Sequence, residues 1–163
     1  DTGPVYARRA VPIGDETTLH ALQTQLVAIG TELLVGSLAT GVDGLPTPEP
    51  QVGEPTIAAK ITPEDLHLDW TRPARELLRT VRLGGAWTTF RGKRLTVLDA
   101  TVDDTHGGTG DEHAPGAIVG VAVATREGAL VLGRVQPESR SPMSAEEWLR
   151  GVRPRNGERL GTD

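Results

Sequence analysis

The stretch Ala86-Trp-Thr-Thr-Phe90, Arg91-Gly92-Lys93, Arg94-Leu-Thr-Val-Leu-Asp-Ala-Thr-Val102 decides the fold. Its flanks are rich in β-branched and aromatic residues, and a Gly-centred break divides them. That is the pattern of a β-hairpin with its turn at Arg91 to Lys93. A second hairpin follows: Gly116 to Thr125 (GAIVGVAVAT), a turn at Arg126-Glu127-Gly128, then Ala129 to Val135 (ALVLGRV). The two are joined by a Gly/Asp/His loop, Asp103 to Ala114. Ser144-Ala145-Glu146-Glu147 has capping-box spacing and opens a last short helix. Upstream, Arg72 to Arg82 reads as a short helix with Pro73 in its first turn. Short strands with two helices suggest a small barrel with helical additions.

Before Ile57 the character changes. Val42 to Pro55 holds four prolines and three acidic residues, an extended linker that is stiff where Pro is dense. Ahead of it, Pro4 to Ile13 places Val5, Ala7, Val11 and Ile13 on one face at period two, a strand signal. Leu19, Leu22, Leu26, Ile29 and Leu33 then form an amphipathic helix with Thr17 as its expected N-cap, ending near Gly41. One strand and one helix cannot bury a core, so residues 1–41 read as the end of an α/β domain. The start at Asp1, without Met, is that of a cut through a longer protein.

The 163 residues carry a net charge of −5 and no cysteine, which excludes disulfides and thiolate metal sites. No uninterrupted run of about 18 apolar residues occurs, so no transmembrane segment is expected. The acidic total conceals a local excess: between Trp70 and Leu98 lie seven basic residues and one acid, Glu76. On a helix of about 100° per residue, Arg72, Arg75, Arg79 and Arg82 fall within about 80°, opposite Ala74, Leu77, Leu78 and Val81. Arg91, Lys93 and Arg94 add to them at the hairpin tip. Guanidinium forks match phosphate oxygens, so a nucleic-acid backbone is one reading of this arc; a solvated helix face is the other. The acids and histidines of residues 103–113 follow no metal-ligand spacing. His20 and His67 read as packing or surface residues, and Trp70, Trp87 and Trp148 as core or interface anchors, with base stacking a further role for one of them.

Several segments together resemble the methionyl-tRNA formyltransferase family. Asp1-Thr2-Gly3-Pro4-Val5 is similar to its Leu-Asp-(Ser/Thr)-Gly turn and strand. AAKITPEDLHLDW (Ala58 to Trp70) resembles the opening of its second domain, and RLGGAWTTFRGKRLTVLDA (Arg82 to Ala100) its Gly-Ala-Trp hairpin. RVQPESRSPMSAEEWLRG (Arg134 to Gly151) and GERLG (Gly157 to Gly161) resemble its closing signature. Leu83-Gly84 stands where the family has Pro-x-Pro, and Ser139-Arg140 partly replaces its Gly-Lys-Lys.

The resemblance implies the last strand and helix of a Rossmann-like catalytic domain over residues 1–41. It implies a linker over 42–57 and, over 58–163, a small open β-barrel resembling an oligonucleotide-binding fold. It implies formyl transfer from 10-formyltetrahydrofolate to the α-amino group of Met on initiator tRNA, in the cytoplasm, by a monomer without a metal. Asp1 matches the Asp of the family's catalytic Asn, His and Asp, and Asp1, Thr2 and Gly3 fall at the folate side. Lys60, Arg72, Arg75, Arg79, Arg82, Arg91, Lys93 and Arg94 become the expected tRNA contacts. A related folate-dependent formyl enzyme and a free-standing nucleic-acid-binding β-domain are the alternatives.

Overall fold

A computed structural model describes residues 2–39, 41–105 and 114–162. The chain divides into two compact units, residues 1–60 and 61–163.

The first unit contains helix α1 (Leu19–Leu38). Thr18, rather than Thr17, is its N-cap, with Oγ1 accepting from the Ala21 N–H at 3.2 Å, while Thr17 Oγ1 accepts from the Gly14 N–H at 2.9 Å. The expected strand over residues 4–13 does not form. A strand needs a neighbour along its length, and here only Val5 finds one, in an antiparallel bridge to Glu49. That bridge, and a 2.7 Å hydrogen bond from Gln51 Nε2 to the Gly3 carbonyl, tie the Pro-rich stretch back onto the start of the unit. Helix α1 buries none of its residues. Val27, Leu34, Val35 and Leu38 lie outside the expected stripe and are exposed, so the helix is apolar on more than one side. It is long and apolar enough to cross a membrane by length and composition alone, a test that core helices of soluble proteins also pass, and its Glu32 is paired to Arg9 at 3.0 Å.

The second unit is built on an antiparallel sheet. Helix α2 (Ala74–Leu83) precedes β1 (Trp87–Phe90) and β2 (Lys93–Asp103). Then come β3 (Ile118–Val119), β4 (Ala122–Ala124), β5 (Ala129–Pro137), β6 (Met143–Ser144) and helix α3 (Ala145–Val152). The strand order is β1-β2-β5-β4-β3, with β6 on β5. Phe90 pairs with Lys93 across a two-residue turn whose Arg91 and Gly92 both have positive φ, at 51° and 69°. The single strand expected over Gly116 to Thr125 is instead split. Gly120, at φ 57°, turns the chain between Val119 and Ala122, and β3 and β4 form a hairpin of their own. A bulge at Leu98 shifts burial on β2 from Leu95 and Val97 to Ala100, which leaves Asp99 exposed alongside Leu98.

The core holds Leu68, Trp70, Leu77, Val81, Phe90, Leu95, Val97, Leu130, Leu132, Val135, Trp148 and Leu160. Buried Thr88 is satisfied by the Trp70 indole N–H at 3.0 Å. The capping box of α3 forms with both of its hydrogen bonds, Glu147 N–H to Ser144 Oγ and Ser144 N–H to Glu147 Oε2. The final segment joins the two ends of the sheet: the Gly161 N–H donates to Thr89 O on β1, and the Leu160 N–H to Gly116 O beside β3, at 2.9 and 2.8 Å.

A candidate nucleic-acid interface

Helix α2 starts two residues later than its sequence suggests, because Pro73 is the N-cap and Arg72 precedes the helix. Ala74, Leu77 and Val81 are buried against the sheet, which turns Arg75 and Arg79 outward and leaves Arg82 half-buried. The expected arc of four arginines on this helix is therefore one of three. Two of the basic residues are also neutralised: Arg72 pairs with Glu76 at 2.6 Å, and Arg75 pairs with Asp104. Glu76 was the one acid foreseen. Asp104 sits beyond the far end of β2, and only the fold brings it to Arg75. Arg79 forms no ion pair among the described residues.

The hairpin tip is divided in the same way. Arg91 grips Glu158 with both arms of its fork, at 2.7 Å each, donates to Val152 O at 3.3 Å, and lies over the Phe90 ring. The guanidinium of Arg91, with the Arg155 backbone N–H, pulls the Glu158 carboxyl from its ordinary 4.5 down to about 2. Arg91 thus fastens the C-terminal segment to the hairpin, a structural duty that competes with any phosphate contact. A carboxyl whose folded pKa is depressed contributes stability above its unfolded pKa and loses it as pH falls through the folded one. The stability of the protein should accordingly decline between about pH 4.5 and 2, and Glu158→Gln should flatten that part of the profile. Thermal melts across this range check it, and an unchanged acid limb in the variant would contradict it.

Lys93 and Arg94 are exposed and form no ion pair among the described residues. Arg94 instead lies 4.6 Å over the ring of Trp87, whose indole N–H donates to Pro63 O at 2.8 Å. His67 approaches the same ring at 4.6 Å. Arg91, Lys93 and Arg94 border a groove of about 380 Å³ between the hairpin tip and α3, and Arg140 lines it too. Arg140, 46 residues after Arg94 in the chain, lies outside the basic run between Trp70 and Leu98. Glu138 and Glu147 face the same groove, but Glu147 is held in its capping box.

Lys60 is exposed at the end of the other unit. Thr2 and Gly3 are exposed, while Asp1 lies outside the described residues, as do 106–113 of the acidic loop. Trp70 and Trp148 are core residues; Trp87 is not. Among the described residues no three His, Asp or Glu side chains gather as a metal site.

Residues 60–153 match the family described as the formyl transferase C-terminal domain. The chain belongs to the formyltransferase family. The match takes in α2, every strand of the sheet and α3, and so each of the basic residues proposed from the sequence, Lys60 to Arg94, together with Arg140. Beyond it, the chain is 37% identical over 171 residues to the methionyl-tRNA formyltransferase of Roseiflexus castenholzii, covering 99% of this chain and 53% of that protein. It is 39% identical over 157 residues to that of a Jannaschia species, covering 94% and 50%. This formyltransferase chain therefore spans about half the length of the curated relatives it matches. A crystal structure of HypX from Aquifex aeolicus superposes with a TM-score of 0.71 at 20% identity, over 93% of this chain and 28% of that one. HypX in complex with tetrahydrofolic acid gives 0.68, covering 91% and 27%. At that identity the likeness concerns the fold.

Proposed function

We propose that this chain is the C-terminal part of a methionyl-tRNA formyltransferase, and that what it contributes is the grip on tRNA. The observation that carries the reading is 37–39% identity, over nearly the whole chain, to proteins of that name. The parent reaction is transfer of the formyl group of 10-formyltetrahydrofolate to the α-amino group of Met on initiator tRNA, in the cytoplasm and by a monomer. Asp1, with Thr2 and Gly3 beside it, is the carboxylate that orients the catalytic His toward the tetrahedral centre. No residues of this chain match the family's Asn and His, so its 163 residues carry binding and not the transfer itself. The apolar sides of α1 pack within the α/β domain, which accounts for their exposure here.

In the second unit the sheet, fastened end to end by Leu160 and Gly161, acts as an oligonucleotide-binding-like barrel. Its basic residues hold tRNA through phosphates, which position the nucleic acid without reading its sequence. Arg79, Lys93, Arg94 and Arg140 are the foremost contacts because no carboxylate neutralises them among the described residues. Arg72, Arg75, Arg82 and Arg91 contribute to the field, and Lys60, at the end of the first unit, is a further contact in this reading.

Arg79→Glu tests this in a binding titration with initiator tRNA at several salt concentrations. It should weaken binding and reduce the salt slope by about one, the signature of one lost phosphate contact. An unchanged affinity and slope would remove Arg79 from the interface. Arg91→Ala should act differently, lowering the melting temperature through loss of the Glu158 clamp.

A further inference from the structure

We propose that Trp87 is a positioning residue: it holds the guanidinium of Arg94 ready for an RNA phosphate on the solvent face of the β1–β2 hairpin. The inference rests on the tRNA-binding reading above and names how one contact is organised.

Trp87 pairs with Thr96 and Thr89 with Arg94, so these four side chains share one face of the hairpin. Thr88, Phe90, Leu95 and Val97 point to the other face and are buried. A half-exposed tryptophan on the solvent side is not explained by core packing. It is nevertheless held firmly. Its indole N–H donates to Pro63 O, its carbonyl accepts from the Leu68 N–H at 2.8 Å, and the His67 ring lies against it. Such fixing suits a platform.

What the platform carries is Arg94, whose guanidinium carbon lies 4.6 Å from the ring centroid. Arginine stacks on an aromatic ring with its flat face, which leaves the edge of the fork, with its N–H donors, pointing into solvent. Arg72, Arg75 and Arg91 meet carboxylates; Arg94 meets none among the described residues. Stacking also restricts a long, flexible side chain, so less freedom is lost when the fork closes on a phosphate. The ligand this geometry fits is a phosphodiester group of RNA, recognised by two parallel N–H to oxygen bonds.

The experiment uses the full 163-residue chain, titrated with initiator tRNA over a range of salt concentrations. The variants are Arg94→Ala, Trp87→Leu, Trp87→Phe and the double variant Trp87→Leu/Arg94→Ala. Arg94→Ala should weaken binding several-fold and lower the salt slope by about one. Trp87→Leu should do the same although it removes no charge, Trp87→Phe should retain most of the binding, and the double variant should be no worse than Arg94→Ala. Circular dichroism establishes that each variant is folded. If Trp87→Leu is not, the cycle is run with Trp87→Phe, whose smaller loss should vanish once Arg94 is Ala.

A merely structural Trp87 would lower the melting temperature and leave the salt slope alone, and that result, or additive losses, overturns the proposal. If Arg79→Glu weakens binding while the Trp87 variants do not, only the positioning role falls. If the unaltered chain does not bind tRNA, the underlying reading falls and takes this one with it.

Discussion

Trp148→Ala should lower the free energy of unfolding by roughly 3–5 kcal/mol, the usual cost of truncating a buried aromatic side chain. Trp148 is 4% exposed and belongs to the main core cluster. It meets Phe90 edge-on, with centroids 5.2 Å apart and planes at 77°, an arrangement favoured beyond the area it buries. Helix α3 has only eight residues and cannot persist in isolation, so its place depends on this ring. The same ring floors the groove bordered by Lys93, Arg94 and Arg140. Chemical denaturation measures the effect, and a loss below about 1 kcal/mol, the level of ordinary surface changes, would show that α3 is not anchored as described. Trp148→Phe keeps an aromatic partner for Phe90 and should retain much of the stability.

Gly116→Ala should also be costly, because two penalties coincide there. Gly116 has φ 85°, where a side chain costs roughly 1–3 kcal/mol. A Cβ at this position would also overlap the backbone carbonyl of Leu160, which cannot swing away as a flexible side chain could. Leu160 is buried, and its N–H donates to the Gly116 carbonyl, so the clash falls on the segment that joins the ends of the sheet. Gly120→Ala supplies the control, since Gly120 has φ 57° with open space around it. It should show the backbone cost alone. Equal losses at the two positions would mean that the Leu160 segment yields freely and does not fasten the sheet.

The sequence reading succeeds where a feature depends on neighbours in the chain. The first hairpin is declared by its β-branched and aromatic residues and by Arg91-Gly92; the cap of α3 by Ser144 and Glu147; the seat of α2 by Ala74, Leu77 and Val81. It fails where a feature depends on a distant partner. Residues 4–13 alternate as a strand should, yet a strand exists only beside another, and Val5 alone is bridged. The division of the second hairpin had a local signal in Gly120, since a glycine inside a strand pattern often marks a bend. Strand β6 is too short for periodicity to reveal, and pairing with β5 creates it.

The basic residues divide along the same line. Their number and their phase on α2 can be counted from the chain, but their availability cannot. Asp104 lies 29 residues from Arg75, and Glu158 lies 67 from Arg91. Those separations turn two expected phosphate contacts into parts of the scaffold's own charge pairing. Conversely, Arg140 joins the groove only because β5 returns beside β2. Trp87 reads as a core or interface anchor from the sequence, and the register places it on the outer face.

On the proposed function, this acidic chain binds tRNA through a basic surface on its second unit. The salt dependence of initiator tRNA binding by the unaltered chain tests it most directly. Each neutralised phosphate contributes roughly −0.7 to −0.9 to the slope of log affinity against log salt. Arg79, Lys93, Arg94 and Arg140 together should therefore give a slope of roughly −3 to −4. A slope near zero, or no binding at low salt, would contradict the account.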